Sequence, residues 1–142
     1  MEKTEIIGIA EAGGSAIEVA VEGNFLASGI AFRNEGQTFS HVVRITAGTV
    51  EINDCEFSGA KSSEENLGCG LLITRVTRGT VRNCVALDNG VGIKLDVRAN
   101  AFIKNCRSTH NIHGFVFTWF SSGQLTNCLA LNNQHHAIRP HG

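Results

Sequence analysis

The chain has 142 residues, 42% of them apolar, with 12 basic and 13 acidic residues and a net charge of −1. That apolar share predicts a folded domain rather than a disordered chain. No block of like charge favours nucleic acid or an anionic membrane surface, no apolar run reaches the roughly 18 residues of a membrane span, and the opening MEKTEIIGIAEAGG does not read as a signal peptide.

The first pattern along the chain is the apolar alternation Ile17/Val19, the period of a strand with one buried face. In the following FLASGIAFRNEG, Leu26, Gly29 and Asn34 are expected to hold an inward aliphatic place, a cysteine place and an asparagine place, with Ala31 and its neighbour Phe32 in a further strand. The next copy runs Val43/Ile45, Ile52, Cys55, Phe57. Then comes the one insertion, SGAKSSEENLGCG at 58–70, which lengthens the interval from Cys55 to Cys84 to 29 residues. Later copies are regular: Leu71/Ile73, Val81, Cys84, Ala86; Ile93/Leu95, Ile103, Cys106, Ser108; Phe115/Phe117, Leu125, Cys128, Ala130. Cys84, Cys106 and Cys128 are 22 residues apart. Gly70, Gly92 and Gly114 precede these cysteines by 14 residues, and Asn89, Asn111 and Asn133 follow them by 5.

A period of 22 is too short for a pair of helices and carries no leucine-rich consensus. Three short strands per period, stacked in register, give a parallel β-helix in which each turn buries its inner face against its neighbours. Like side chains then lie on like, about 4.8 Å apart, with asparagines satisfying turn amides from coil to coil. In VRNCVALDNGVGIKL an aliphatic residue, two further positions, a cysteine, an aliphatic stretch, Asn-Gly and then Gly-Ile-x-Leu follow one another. This resembles the right-handed parallel β-helix repeat of the pectate-lyase-like superfamily, over roughly residues 5–139. The resemblance implies an all-β fold: a right-handed parallel β-helix of three sheets and about five coils of ~22 residues, spanning 1–142 as one domain. It also implies binding clefts along the outer face of the first sheet. The first coil reads as incomplete and nothing after HAIRPHG reads as a cap, so the expectation is a fragment of a longer chain or a protomer that associates end to end.

Alternation assigns the outward positions of the first sheet. One row is Glu18, Arg44, Leu72, Lys94 and Val116; the next is Ala20, Thr46, Thr74, Asp96 and Thr118. Arg44, Thr74, Arg75, Lys94, Asp96 and Thr118 are the expected ligand-binding residues, beside a wall made by the 58–70 insertion with Glu64 and Glu65 at its tip. The corresponding function is a non-catalytic module that binds a protein or glycan, without nucleic acid or membrane. The alternative is a polysaccharide lyase or glycoside hydrolase using Asp96 with Glu64 or Glu65, and Lys94 or Arg44. Against catalysis, the paired aspartates and Gly-His-Gly of related polygalacturonases are absent, and one aspartate at this face is too few for the calcium of pectate lyases. NFLASGIAFRNEGQ is similar to a pectin methylesterase segment, but FSGAKSSEEN stands where that family carries Gln-Asp-Thr-Leu. The absence of tyrosine argues against a ring-stacking sugar cleft.

No cofactor and no metal are expected. No C-x-x-C occurs among the five cysteines, which read as packed, reduced thiols with Cys69 the most exposed. His113 and His135, 22 apart, should stack in a solvent-exposed turn near His136; without a carboxylate to orient them they are not taken as ligands. Trp119-Phe120 is expected at the turn after the first sheet. Unpaired cysteines and the absent signal favour a cytoplasmic location.

Overall fold

The computed structural model describes residues 3–140 apart from 47, 77 and 119. Among the described residues, seventeen strands form three sheets whose neighbours are all parallel. The first sheet is β2 (Ser15–Ala20), β5 (His41–Thr46), β8 (Cys69–Thr74), β11 (Val91–Asp96), β14 (His113–Phe117) and β17 (His136–Pro140). The second is β3 (Asn24–Ser28), β6 (Thr49–Asn53), β9 (Arg78–Arg82), β12 (Asn100–Lys104) and β15 (Ser122–Thr126). The third is β1 (Thr4–Gly8), β4 (Ile30–Asn34), β7 (Glu56–Ser58), β10 (Val85–Leu87), β13 (Arg107–Thr109) and β16 (Leu129–Leu131). The chain visits the sheets in strict rotation, so every strand pairs with the strand three places on. None of the described residues forms a helix.

The interior is made of files. In the first sheet Ile17, Val43, Leu71, Ile93 and Phe115 pair in register, as do Val19, Ile45, Ile73, Leu95 and Phe117. In the second, Ala27, Ile52, Val81, Ile103 and Leu125 form one file. In the third, Phe32, Phe57, Ala86, Ser108 and Ala130 form another. Phe32 and Phe57 stack with centroids 5.6 Å apart and planes 6° from parallel. Each fully buried aliphatic here contributes about 1.5–3 kcal/mol relative to exposure, and no coil could bury these residues alone.

Two corners explain the remaining repeat residues. Before the third sheet the chain turns through the left-handed region at Gly29 (φ 69), Asp54, Asn83, Asn105 and Asn127. Only glycine, asparagine and aspartate enter that region readily. Before the first sheet, asparagine side chains lock one coil to the next. The Asn89 N–H donates to Asn111 Oδ1 at 2.9 Å and the Asn111 N–H to Asn133 Oδ1 at 3.0 Å. The amides of Asn89, Asn111 and Asn133 donate in turn to the carbonyls of Phe57, Ala86 and Ser108. A Cβ at Gly70 would lie 2.6 Å from Asn89 Nδ2, so glycine leaves the room those amides occupy.

The first coil departs from expectation by one residue. Leu26 pairs with Glu51 and points outward, 68% exposed, while Ala27 takes the inward place opposite Ile52. Ala31 pairs with Glu56, leaving Phe32 inward. Ile30, not Gly29, stands in the cysteine file, because Gly29 is required at the left-handed corner. Asn34 lies opposite Gly59, one position from the later asparagines, yet its Oδ1 accepts from the Ala10 N–H and its amide reaches the Gly59 carbonyl. All five cysteines are free thiols. Cys84 touches Cys55 and Cys106, and those hydrogen bonds together with burial push its pKa up.

Candidate functional site

The outer face of the first sheet is a walled groove. The wall is the 58–70 segment, which folds back instead of extending into solvent. Ser40 and Lys61 exchange backbone hydrogen bonds of 3.0 and 3.1 Å, the Ser63 N–H donates to the Asn66 carbonyl, and Ser62 Oγ accepts from the Gly68 N–H. This brings Leu67 down onto Cys69, Leu72, Val91 and Val116, all of which point outward from the sheet. Leu72 and Val116 retain only 8% and 6% of their exposure. Beyond Leu67 the groove has a volume of about 520 Å³ and runs from Phe39 and His41 to Arg139, crossing β5, β8, β11, β14 and β17.

Three outward rows of the first sheet cross the groove and its margins. The first holds His41, Cys69, Val91, His113 and His136; the second Arg44, Leu72, Lys94, Val116 and Arg139; the third Thr46, Thr74, Asp96 and Thr118. At one end His41 Nδ1 accepts the Cys69 N–H at 3.0 Å, so the proton of the neutral ring sits on Nε2. Phe39 meets His41 edge to face, centroids 5.4 Å apart. Burial, then the charges of Arg44 and Lys94, lower the His41 pKa to about 4. At the other end His113 Nδ1 lies 3.2 Å from His136 Nδ1, and His113 Nε2 is 3.4 Å from Arg139 Nη1. Burial, then Arg139 and the two neighbouring histidines, lower the His113 pKa.

Between these ends Asp96 is fully engaged. Its Oδ1 accepts from the Val97 N–H at 3.0 Å and from Thr118 Oγ1, while Oδ2 lies 3.6 Å from Lys94 Nζ. The turn after Asp96 is strained: Val97, a β-branched residue, has φ 45. A smaller hollow of about 150 Å³ adjoins the groove and is lined by Arg44, Thr46, Thr74, Arg75 and Asp96 among others.

Of the residues expected at the site, Lys94, Asp96, Thr118 and Glu65 line the groove, and Arg44, Thr74 and Arg75 line the adjoining hollow. Glu64 lines neither. Five residues of the groove were not foreseen in a binding role, Phe39, His41, Val91, His113 and Arg139, while Leu67 belongs to the expected 58–70 wall. Leu67 carried a signal, as the one large apolar residue in an otherwise polar insertion. Cys69 is not the exposed thiol of the set; Leu67 covers it, it is 1% exposed, and burial pushes its pKa up to about 12. His113 is buried rather than solvated and pairs with His136, one residue beyond the expected His135, although the His135 ring still lies 5.7 Å away. Among the described residues no group of three or more His, Cys, Asp or Glu side chains is arranged to hold a metal ion. Phe120 is 85% exposed; Trp119 lies outside the described residues.

A family model described as "right handed beta helix region" matches residues 5–140. No match was found among curated proteins or among solved structures.

Proposed function

The chain belongs to the right-handed β-helix family, and on that premise we propose that it is a non-catalytic recognition module that holds a glycan along the outer face of its first sheet. The observation that carries this reading is the burial of that face. An outward row of a solvated sheet has no reason to lose its exposure, whereas here Leu67 and the insertion roof part of it and leave a bounded groove beside it. A volume of about 520 Å³ is that of a small-ligand site. A protein partner needs a broad surface of roughly 800 Å² per side, and the concave, walled shape favours a thin chain.

The lining suits a sugar chain. Aliphatic Leu72 and Val116 offer surface to C–H faces. His41 Nε2–H, Lys94 and Arg139 offer donors for hydroxyls, and Thr118 Oγ1, whose own proton goes to Asp96, can accept from one. Asp96 acts in this reading as a positioning residue, holding Lys94 and the turn at Val97. Its Oδ1 already accepts two hydrogen bonds and its Oδ2 faces the Lys94 ammonium.

The test is affinity electrophoresis through gels containing acidic and neutral polysaccharides. At least one is expected to retard the protein, and Asn66→Ala, confined to the exposed wall, is expected to weaken retardation without changing thermal unfolding. Unretarded migration in every gel sinks the proposal. A second reading, a polysaccharide lyase or glycoside hydrolase, rests on one observation: Glu65 and Asp96 face the same groove, and glycoside hydrolysis uses two carboxyl groups. Release of reducing ends that disappears in both Glu65→Gln and Asp96→Asn would favour it.

A further inference from the structure

The second outward row of the first sheet, which runs through the adjoining hollow into the groove, has a charge period. In register from strand to strand it reads Glu18, Arg44, Leu72, Lys94, Val116, Arg139. Cations stand on every second strand, and the strands between them carry aliphatic side chains. Parallel strands are about 4.8 Å apart, so successive cations are anchored between about 9 and 10 Å apart. The intervening places are apolar: Leu72 and Val116 line the groove, with Leu67 packed beside them at its wall. Glu18 ends the row on one side and repels an anion there.

We propose that the groove selects a linear glycan bearing one anionic group on every second sugar. The proposal rests on the glycan reading above and specifies its ligand class. An extended sugar chain lying along the row advances roughly one strand spacing per ring. Charged sugars then meet Arg44, Lys94 and Arg139, while the uncharged sugar between them lies over Leu72 or Val116. Lys94 is held by Asp96 at 3.6 Å yet keeps donors free for a ligand, because an ammonium has three. A glycan charged on every sugar would drive carboxylates against Leu72 and Val116, where they would be desolvated without a partner. Discrimination therefore arises from rejection as much as from attraction.

Titration calorimetry with length-matched oligosaccharides tests this. The probes are hyaluronan fragments, with a carboxylate on every second sugar; oligogalacturonate, with one on every sugar; and neutral cello-oligosaccharide. A single-stranded oligonucleotide serves as a generic polyanion. Hyaluronan fragments are expected to bind at least about ten-fold more tightly than the other three, a difference of roughly 1.4 kcal/mol. Lys94→Gln is expected to weaken hyaluronan binding about ten-fold and to lower the salt dependence by about one ion, with Lys94→Arg restoring both and thermal unfolding unchanged in each. Equal or tighter binding of oligogalacturonate, the neutral probe or the oligonucleotide overturns the charge period, and so does a salt dependence that Lys94→Gln leaves intact. Tight binding of the neutral probe alone would overturn the period while leaving the glycan reading standing; binding of no oligosaccharide would sink both.

Discussion

The outer faces of the first and second sheets are built from the same alternation on the same coils, and they meet opposite fates. On the second sheet the outward file is Leu26, Glu51, Thr80, Phe102 and Gln124. Its apolar members are left in solvent, Phe102 at 53% exposure. On the first sheet the apolar outward residues Leu72 and Val116 are buried instead, while Arg44 in the same row stays exposed. The difference comes from one segment of chain, the insertion that returns Leu67 to the sheet. The second sheet's face has a hollow of about 440 Å³ of its own, so what distinguishes the first is the segment of chain that packs on its apolar residues.

The sharpest contrast is between inside and outside. Phe57→Ala should destabilise the protein by about 3–5 kcal/mol, the usual loss for a buried aromatic, whereas Phe102→Ala on the second sheet's outer face should fall within about 0.5 kcal/mol; urea unfolding measures both. The more informative pair lies wholly on outer faces. Leu72→Ala should cost about 2–3 kcal/mol because Leu67 packs on it, against about 0.5 or less for Leu26→Ala. Equal effects at Leu72 and Leu26 would mean that the insertion does not cover the groove floor in solution.

Acid should separate the faces next. The His41 pKa is lowered to about 4 in the folded state from an ordinary 6.5, so the unfolded chain takes up a proton that the folded one refuses. The stabilisation is complete above pH 6.5 and is lost as pH falls toward 4. It amounts to roughly 1–3 kcal/mol once screening by residual solvent is discounted, and His41→Asn should flatten that part of the stability profile. Smallest in energy is the thiol contrast. Cys69, roofed by Leu67, should react with an aromatic disulfide reagent more slowly than the half-buried Cys128, and Leu67→Ala should raise the Cys69 rate selectively.

The later coils were legible because their repeat has a physical cause in every column: period-two alternation for the strands, asparagine where turn amides need partners, glycine where those asparagines need room. The first coil misled because two columns admit glycine for different reasons. Gly29 was aligned with the cysteines by spacing, but the corner one residue earlier demands a left-handed conformation, and Asp54, Asn83, Asn105 and Asn127 share that demand. Reading Gly29 with these four would have restored the register of Ala27 and Phe32. In the groove and the adjoining hollow, Arg44, Lys94, Asp96 and the threonines followed from alternation alone. Phe39 and the fold-back of Leu67 did not, because both lie in aperiodic segments; His41 did not, because it shares the parity of the inward Val43 and Ile45; and Arg139 belongs to a sixth strand of the first sheet, which falls beyond the last complete repeat.

The fixed step of 22 residues makes length a variable that can change without redesign. Duplicating residues 91–112 in tandem would insert one full rung whose edges match those already present, since Val91 pairs with His113 on one side and Cys69 on the other. The recess would lengthen by a single strand spacing, and two lysines would come to stand on consecutive rungs. A scaffold of this kind can therefore alter the cadence of what it reads by copying a segment of itself, while the fold registers no change at all.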